Sequence, residues 1–122
     1  VLLRRPSAFV MLNRYPHAAG HLMVAPVLHA PSPDALPDED RIALHELLTF
    51  ALARLRGAIG PDGMNLGMNL GKTGGAGFAD HCHWHLVPRF SGDSNFMPVV
   101  ADTRVVPEAL QATWDRLRPS FS

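Results

Sequence analysis

Seven histidines occur among 122 residues, and three of them, His81, His83 and His85, alternate within the segment His81-Cys82-His83-Trp84-His85-Leu86-Val87-Pro88-Arg89. At this histidine content such a spacing should arise by chance roughly 0.02 times per chain. On an extended segment alternate residues share a face, with about 7 Å between successive members. The imidazoles of His81, His83 and His85 are therefore expected on one side, and Cys82, Trp84 and Leu86 on an apolar other side. Three adjacent cations would repel one another, so some of these rings must be neutral and hydrogen-bonded.

Three chemistries fit such a row. A neutral imidazole whose second nitrogen is fixed by a hydrogen bond is a nucleophile toward phosphorus, and a protonated neighbour can donate to the leaving atom. Alternatively, His-x-His pairs on a strand can bind zinc, for which Asp80 is a further ligand candidate while Cys82 points away. The row can also be a solvated face. The preceding Asn69-Leu70-Gly71-Lys72-Thr73-Gly74-Gly75-Ala76-Gly77 lacks the spacing of a P-loop. A glycine-rich turn beside imidazoles can still aim backbone N–H groups at phosphate oxygens, which favours phosphate chemistry over zinc.

The elements that position this row can be read from periodicity. Val1–Arg4 and Ala8–Leu12 are β-favouring runs broken by Pro6-Ser7, which predicts a hairpin. Residues 13–20 read as a loop, and His21–Ala25 as a third strand stopped by Pro26. Leu44, Leu47, Leu48, Ala51 and Leu55 form the apolar stripe of a helix that starts at the acids Asp38, Glu39 and Asp40 and stops at Gly57. Met64–Leu70 reads as a fourth strand, Gly71–Asp80 as a flexible loop and His81–Val87 as a fifth strand ended by Pro88. Pro107–Leu117 reads as a second helix with Leu110, Trp114 and Leu117 on one side. Five strands joined by short links, with one helical crossover, predict an α+β fold with an antiparallel sheet. His45 is expected on the helix surface, and His17 and His29 in solvated loops. Trp84 and Trp114 are expected in core or dimer contacts, and Phe9 and Met11 share a face with Asn13.

Composition narrows the function further. Apolar residues are 47% of the chain, enough to bury the core of one domain. Eleven basic residues balance eleven acidic ones. That balance argues against a nucleic-acid or membrane-surface binder and leaves small anionic ligands open. One cysteine excludes a disulfide scaffold and fits a reducing, cytoplasmic setting. No apolar run reaches the length needed to span a bilayer. The chain opens on Val1, which leads us to expect a missing piece of the native N-terminus ahead of a single domain over residues 1–122.

The segment His81-Cys82-His83-Trp84-His85-Leu86-Val87 resembles the His-x-His-x-His-x-x signature of the histidine triad (HIT) superfamily of nucleotide hydrolases and transferases. Pro88-Arg89, Gly92-Asp93-Ser94-Asn95-Phe96-Met97-Pro98, Leu12-Asn13-Arg14-Tyr15-Pro16 and Gly20-His21-Leu22-Met23-Val24 are similar to its fragile-histidine-triad and diadenosine-polyphosphate-phosphorylase-like branch. The resemblance implies a HIT-like five-stranded antiparallel sheet with one long helix and a C-terminal helix, working as a homodimer on a small nucleotide substrate.

It further implies that His83 attacks the α-phosphorus and carries a covalent nucleotidyl group, and that His85 assists the leaving group. His81 would orient the row, hydrogen-bonded with His21. Asn13 would hold the ribose hydroxyls, and Asn69 would reach the phosphates. No cofactor is required by this chemistry, although some relatives carry a structural zinc near the N-terminus. One departure concerns Gly77, four residues before His81, where many relatives place Gln, Ser or Thr to bond phosphate oxygens. Here the backbone of Gly77 or the side chain of Thr73 must take that part. Dinucleoside polyphosphates are the expected substrates, with a nucleoside phosphoramidate hydrolase or a nucleotide-binding module of weak catalysis as alternatives.

Overall fold

The computed structural model describes residues 1–13, 19–77, 79–92 and 107–122. Five strands, β1 (Leu3–Arg4), β2 (Ala8–Leu12), β3 (Leu22–Pro26), β4 (Gly63–Gly67) and β5 (Trp84–Arg89), form one sheet in the order β1-β2-β3-β5-β4. Every pairing is antiparallel. Helix α1 (Asp38–Ile59) joins β3 to β4, and α2 (Pro107–Leu117) runs into a 3-10 turn over Arg118–Phe121. The expected α+β class, hairpin, long helix and C-terminal helix are all present.

The sheet is two-faced because its register aligns like with like. Val10 lies opposite Val24, which lies opposite Trp84, and Leu22 lies opposite Leu86. These residues meet the stripe Leu44, Leu47, Leu48, Ala51 and Leu55 of α1, and Leu117 and Phe121 close the same core. Each fully buried leucine contributes about 1.5–3 kcal/mol relative to an exposed one. Trp84 and Trp114 pack against this core, half-buried. The opposite face carries Phe9, Met11, Met23 and Ala25, with Met23 beside His85.

Several element ends differ from the sequence reading. Helix α1 passes through Gly57 and stops at Gly60, whose φ of 65° and ψ of 48° lie in the left-handed region and whose N–H bonds Arg56 O at 2.9 Å. Only glycine reaches that conformation at low cost. Strand β4 ends at Gly67 rather than Leu70. Strand β5 starts at Trp84 rather than His81, and includes Pro88 and Arg89. Continued pairing with β3 would set Cys82 opposite Pro26, and proline has no N–H to offer the ladder. The Cys82 N–H turns instead to Ala30 O at 2.7 Å.

Candidate active site

His85 projects from β5 between Met23 of β3 and Gly67 of β4. The sheet fixes its place. His81 and His83 precede the strand; the His81 ring is tied to the end of β3 and the His83 ring lies against His85. His81 Nε2 donates to Pro26 O at 2.7 Å. His83 Nδ1 donates to His81 O at 3.1 Å, and the rings of His83 and His85 meet edge to face with centroids 4.9 Å apart. A backbone carbonyl only accepts, so Nδ1 of His83 carries the proton and Nε2 of the neutral ring keeps its lone pair.

His21 is the buried polar side chain among the described residues, 1% exposed. Its Nε2 is 2.9 Å from Nδ1 of His85. The implied bond between His21 and His81 is therefore corrected: His21 backs His85. Leu22 pairs with Leu86, and this register brings the His21 ring to His85. Asn13 lies at the same edge, its N–H bonded to His21 O at 3.0 Å and its Nδ2 3.3 and 3.2 Å from the two ring nitrogens of His21.

Beside the rings is a cavity of about 310 Å³. Phe9, Met11, Met23 and Ala25 form its apolar floor, and His29, His81 and His83 its rim. Phe9 and Met11, expected to share a face, both line it. His29, expected in solvent, is exposed and also bonded, Nδ1 to Nδ1, to His81 at 2.9 Å. Sequence reasoning missed this partner, because nothing in local spacing joins residues 29 and 81. His45 is exposed as expected.

The glycine-rich loop of residues 69–77 precedes the triad segment. Asn69 and Thr73 are exposed, and among the described residues no hydrogen bond links them or Gly77 to a triad imidazole. The loop closes on itself through Gly75 N to Lys72 O at 3.0 Å and Ala76 N to Gly71 O at 2.9 Å. A Cβ at Gly77 would meet nothing within 4 Å. Arg89 donates to Asn65 Oδ1 at 3.1 Å, while His17 and Asp93 lie outside the described residues. Burial pushes the Cys82 thiol above its ordinary value, and the charge of Asp34 adds to the effect. Among the described residues no three His, Cys, Asp or Glu side chains converge as metal ligands. No helix among them is long and apolar enough to cross a membrane.

Comparison with known proteins agrees with this fold. Residues 1–92 match the family model described as HIT domain. The chain is 34% identical over 113 residues to a Mycobacterium tuberculosis protein named AP-4-A phosphorylase, covering 93% of this chain and 58% of that one. The chain thus spans 58% of the length of the first curated relatives it matches. An uncharacterised 16.1 kDa HIT-like protein of Mycoplasma pneumoniae is 30% identical over 110 residues, covering 90% of this chain and 74% of that one. Among solved structures, a Hit-like protein of Bartonella henselae has the same fold with a TM-score of 0.83 at 17% identity, covering 98% of this chain and 84% of that one. A diadenosine triphosphate hydrolase of Plasmodium falciparum has a TM-score of 0.77 at 18% identity, covering 99% of this chain and 78% of that one.

Proposed function

The chain belongs to the HIT domain family, and on that premise we propose that it is a nucleotide hydrolase or phosphorylase acting on the α-phosphate of dinucleoside polyphosphates. The observation that carries this reading is the bond from His83 Nδ1 to His81 O at 3.1 Å, which leaves Nε2 as the lone-pair nitrogen. The 34% identity to a protein named AP-4-A phosphorylase supports the substrate class.

The reaction takes two displacements. His83 Nε2 attacks the α-phosphorus, forming a P–N bond while the P–O bond to the polyphosphate leaving group breaks. His85, backed by His21, supplies a proton to the departing oxygen. Water or inorganic phosphate then attacks the nucleotidyl-histidine, breaking P–N and returning the electron pair to Nε2. The proton of the attacking oxygen passes to His85. No metal or cofactor takes part in these steps. The base lies on Phe9, Met11 and Met23, and Asn13 holds the ribose hydroxyls. Asn69, Thr73 and the Gly77 backbone meet the phosphates. The working unit is a homodimer, which sedimentation of the purified chain checks.

Product analysis with diadenosine tetraphosphate tests the reading. AMP with ATP marks hydrolysis, and ADP formed only when inorganic phosphate is added marks phosphorolysis. The His83→Ala variant should lose turnover, and His83→Asn should still bind nucleotide. Normal turnover by His83→Ala would overturn the assignment, and nucleotide binding with no product from the wild-type chain would leave a binding module. Faster turnover of a nucleoside phosphoramidate would move the substrate class.

A further inference from the structure

Beyond the cavity floor the sheet continues by one more strand. β1 is two residues long, and its pairing with β2 sets Leu3 opposite Val10 and Arg4 opposite Phe9. Val10 is buried in the core while Phe9 lies on the floor, so Arg4 is the one β1 side chain on the ligand face. Its guanidinium carbon stands 5.4 Å from the centre of the Phe9 ring. Alternation sends the next residue the other way, and the Arg5 guanidinium lies over Phe50 of α1 at 4.6 Å. Among the described residues the ion pair is between Arg41 and Asp38, and no carboxylate is paired with Arg4. Arg4 is exposed, and a guanidinium held beside an aromatic ring keeps its N–H edge open to a ligand.

Position along the floor decides what those N–H groups can meet. The rows Met11–Met23–His85 and Phe9–Ala25 run across the sheet, and His83 is on the rim at their β5 end. From β5 to β1 is three strand spacings, about 14 Å. A nucleotide with its phosphorus at His83 and its base on Phe9 and Met11 therefore turns the far edge of the base to Arg4. A guanidinium only donates. Guanine offers it two adjacent acceptors, O6 and N7, for a two-pronged bond, whereas adenine puts an amino donor in the place of O6. We infer that Arg4 is a specificity-determining residue: it makes the base site prefer a 6-oxopurine, guanine or hypoxanthine, over adenine.

This inference rests on the proposed nucleotide site and sharpens its substrate class. Titration calorimetry with GMP, IMP and AMP at one ionic strength tests it. The wild-type chain should bind GMP and IMP about five- to tenfold more tightly than AMP. Arg4→Ala should remove that difference by weakening GMP and IMP while leaving AMP nearly unchanged. Arg4→Gln, whose amide can pair with N6 and N7 of adenine, should bring AMP level with GMP or above it. Arg4 is exposed, so both variants keep the buried core intact. Equal affinities in the wild-type chain overturn the inference, as does a preference that survives in Arg4→Ala. An equal loss for all three nucleotides also overturns it, because Arg4 would then be a general attractor of phosphate. So does IMP binding like AMP, which would show that the 2-amino group of guanine is what the site reads. A wild-type chain that binds none of the three refutes the proposed site and this inference with it, whereas binding without preference leaves the proposed function standing.

Discussion

Replacing the two glycines near the end of α1 by alanine should move stability in opposite directions. Gly57 lies inside the helix, exposed, and a Cβ there meets nothing within 4 Å. Alanine removes the excess freedom of glycine in the unfolded chain, a gain of about 0.5–1 kcal/mol. Gly60 also has open space, but its φ of 65° is left-handed. There a Cβ costs about 1–2 kcal/mol, offset in part by the same unfolded-state gain, for a net loss of about 1 kcal/mol. For a chain of 122 residues, 1 kcal/mol corresponds to about 4 °C in Tm. Gly57→Ala should therefore melt about 2–4 °C higher and Gly60→Ala about 4 °C lower, by calorimetry or circular dichroism. Shifts of the same sign, or a destabilised Gly57→Ala, would show that the helix ends where the sequence alone had put it and that the assignment of the cap is wrong.

Other outcomes follow from burial and from the cavity. Leu47→Ala, at a fully buried position, should cost about 2–5 kcal/mol in urea unfolding, while Ile42→Ala, at a position 56% exposed, should stay within about 0.5 kcal/mol. Phe9→Ala should weaken AMP binding by about 1–3 kcal/mol in titration calorimetry if a base stacks there, and an unchanged affinity removes Phe9 from the base site. Cys82 should resist alkylation in the native protein and react promptly in denaturant, because its thiol is buried and its proton is held above the ordinary value of 9.0. The folded state binds that proton more tightly than the unfolded one. The thiol therefore supports stability below pH 9.0 and withdraws that support as the pH rises past it, which urea midpoints across the range should register.

Much of the architecture is legible in local pattern. The leucine stripe of α1 reports its own buried face, and the hairpin of β1 and β2 follows from two apolar runs around Pro6-Ser7. The alternation of His81, His83 and His85 announces one chemical face; the rings of His83 and His85 meet there, while that of His81 turns to His29. That they are not all on a strand is a tertiary fact: the missing N–H of Pro26, far away in sequence, ends the ladder. Gly57 and Gly60 are equivalent stops by composition, and only the backbone dihedral distinguishes them. The partners of His21 and His29 are set by strand register and by the docking of residues 29–30, neither of which leaves a mark in spacing. Phe121 escapes a reading of α2 because it follows the helix, in a turn that folds it back against Phe50 with ring centroids 6.4 Å apart.

The imidazole contacts join residues 64, 52 and 55 positions apart: His21 with His85, His29 with His81, and Pro26 with His81. No local fragment can assemble them, and closure of the segment between them, α1 included, must come first. Ligand affinity should accordingly vanish in step with global unfolding, with no partly folded species that still binds. The reactive centre is the last thing this polypeptide acquires on folding and the first it forfeits.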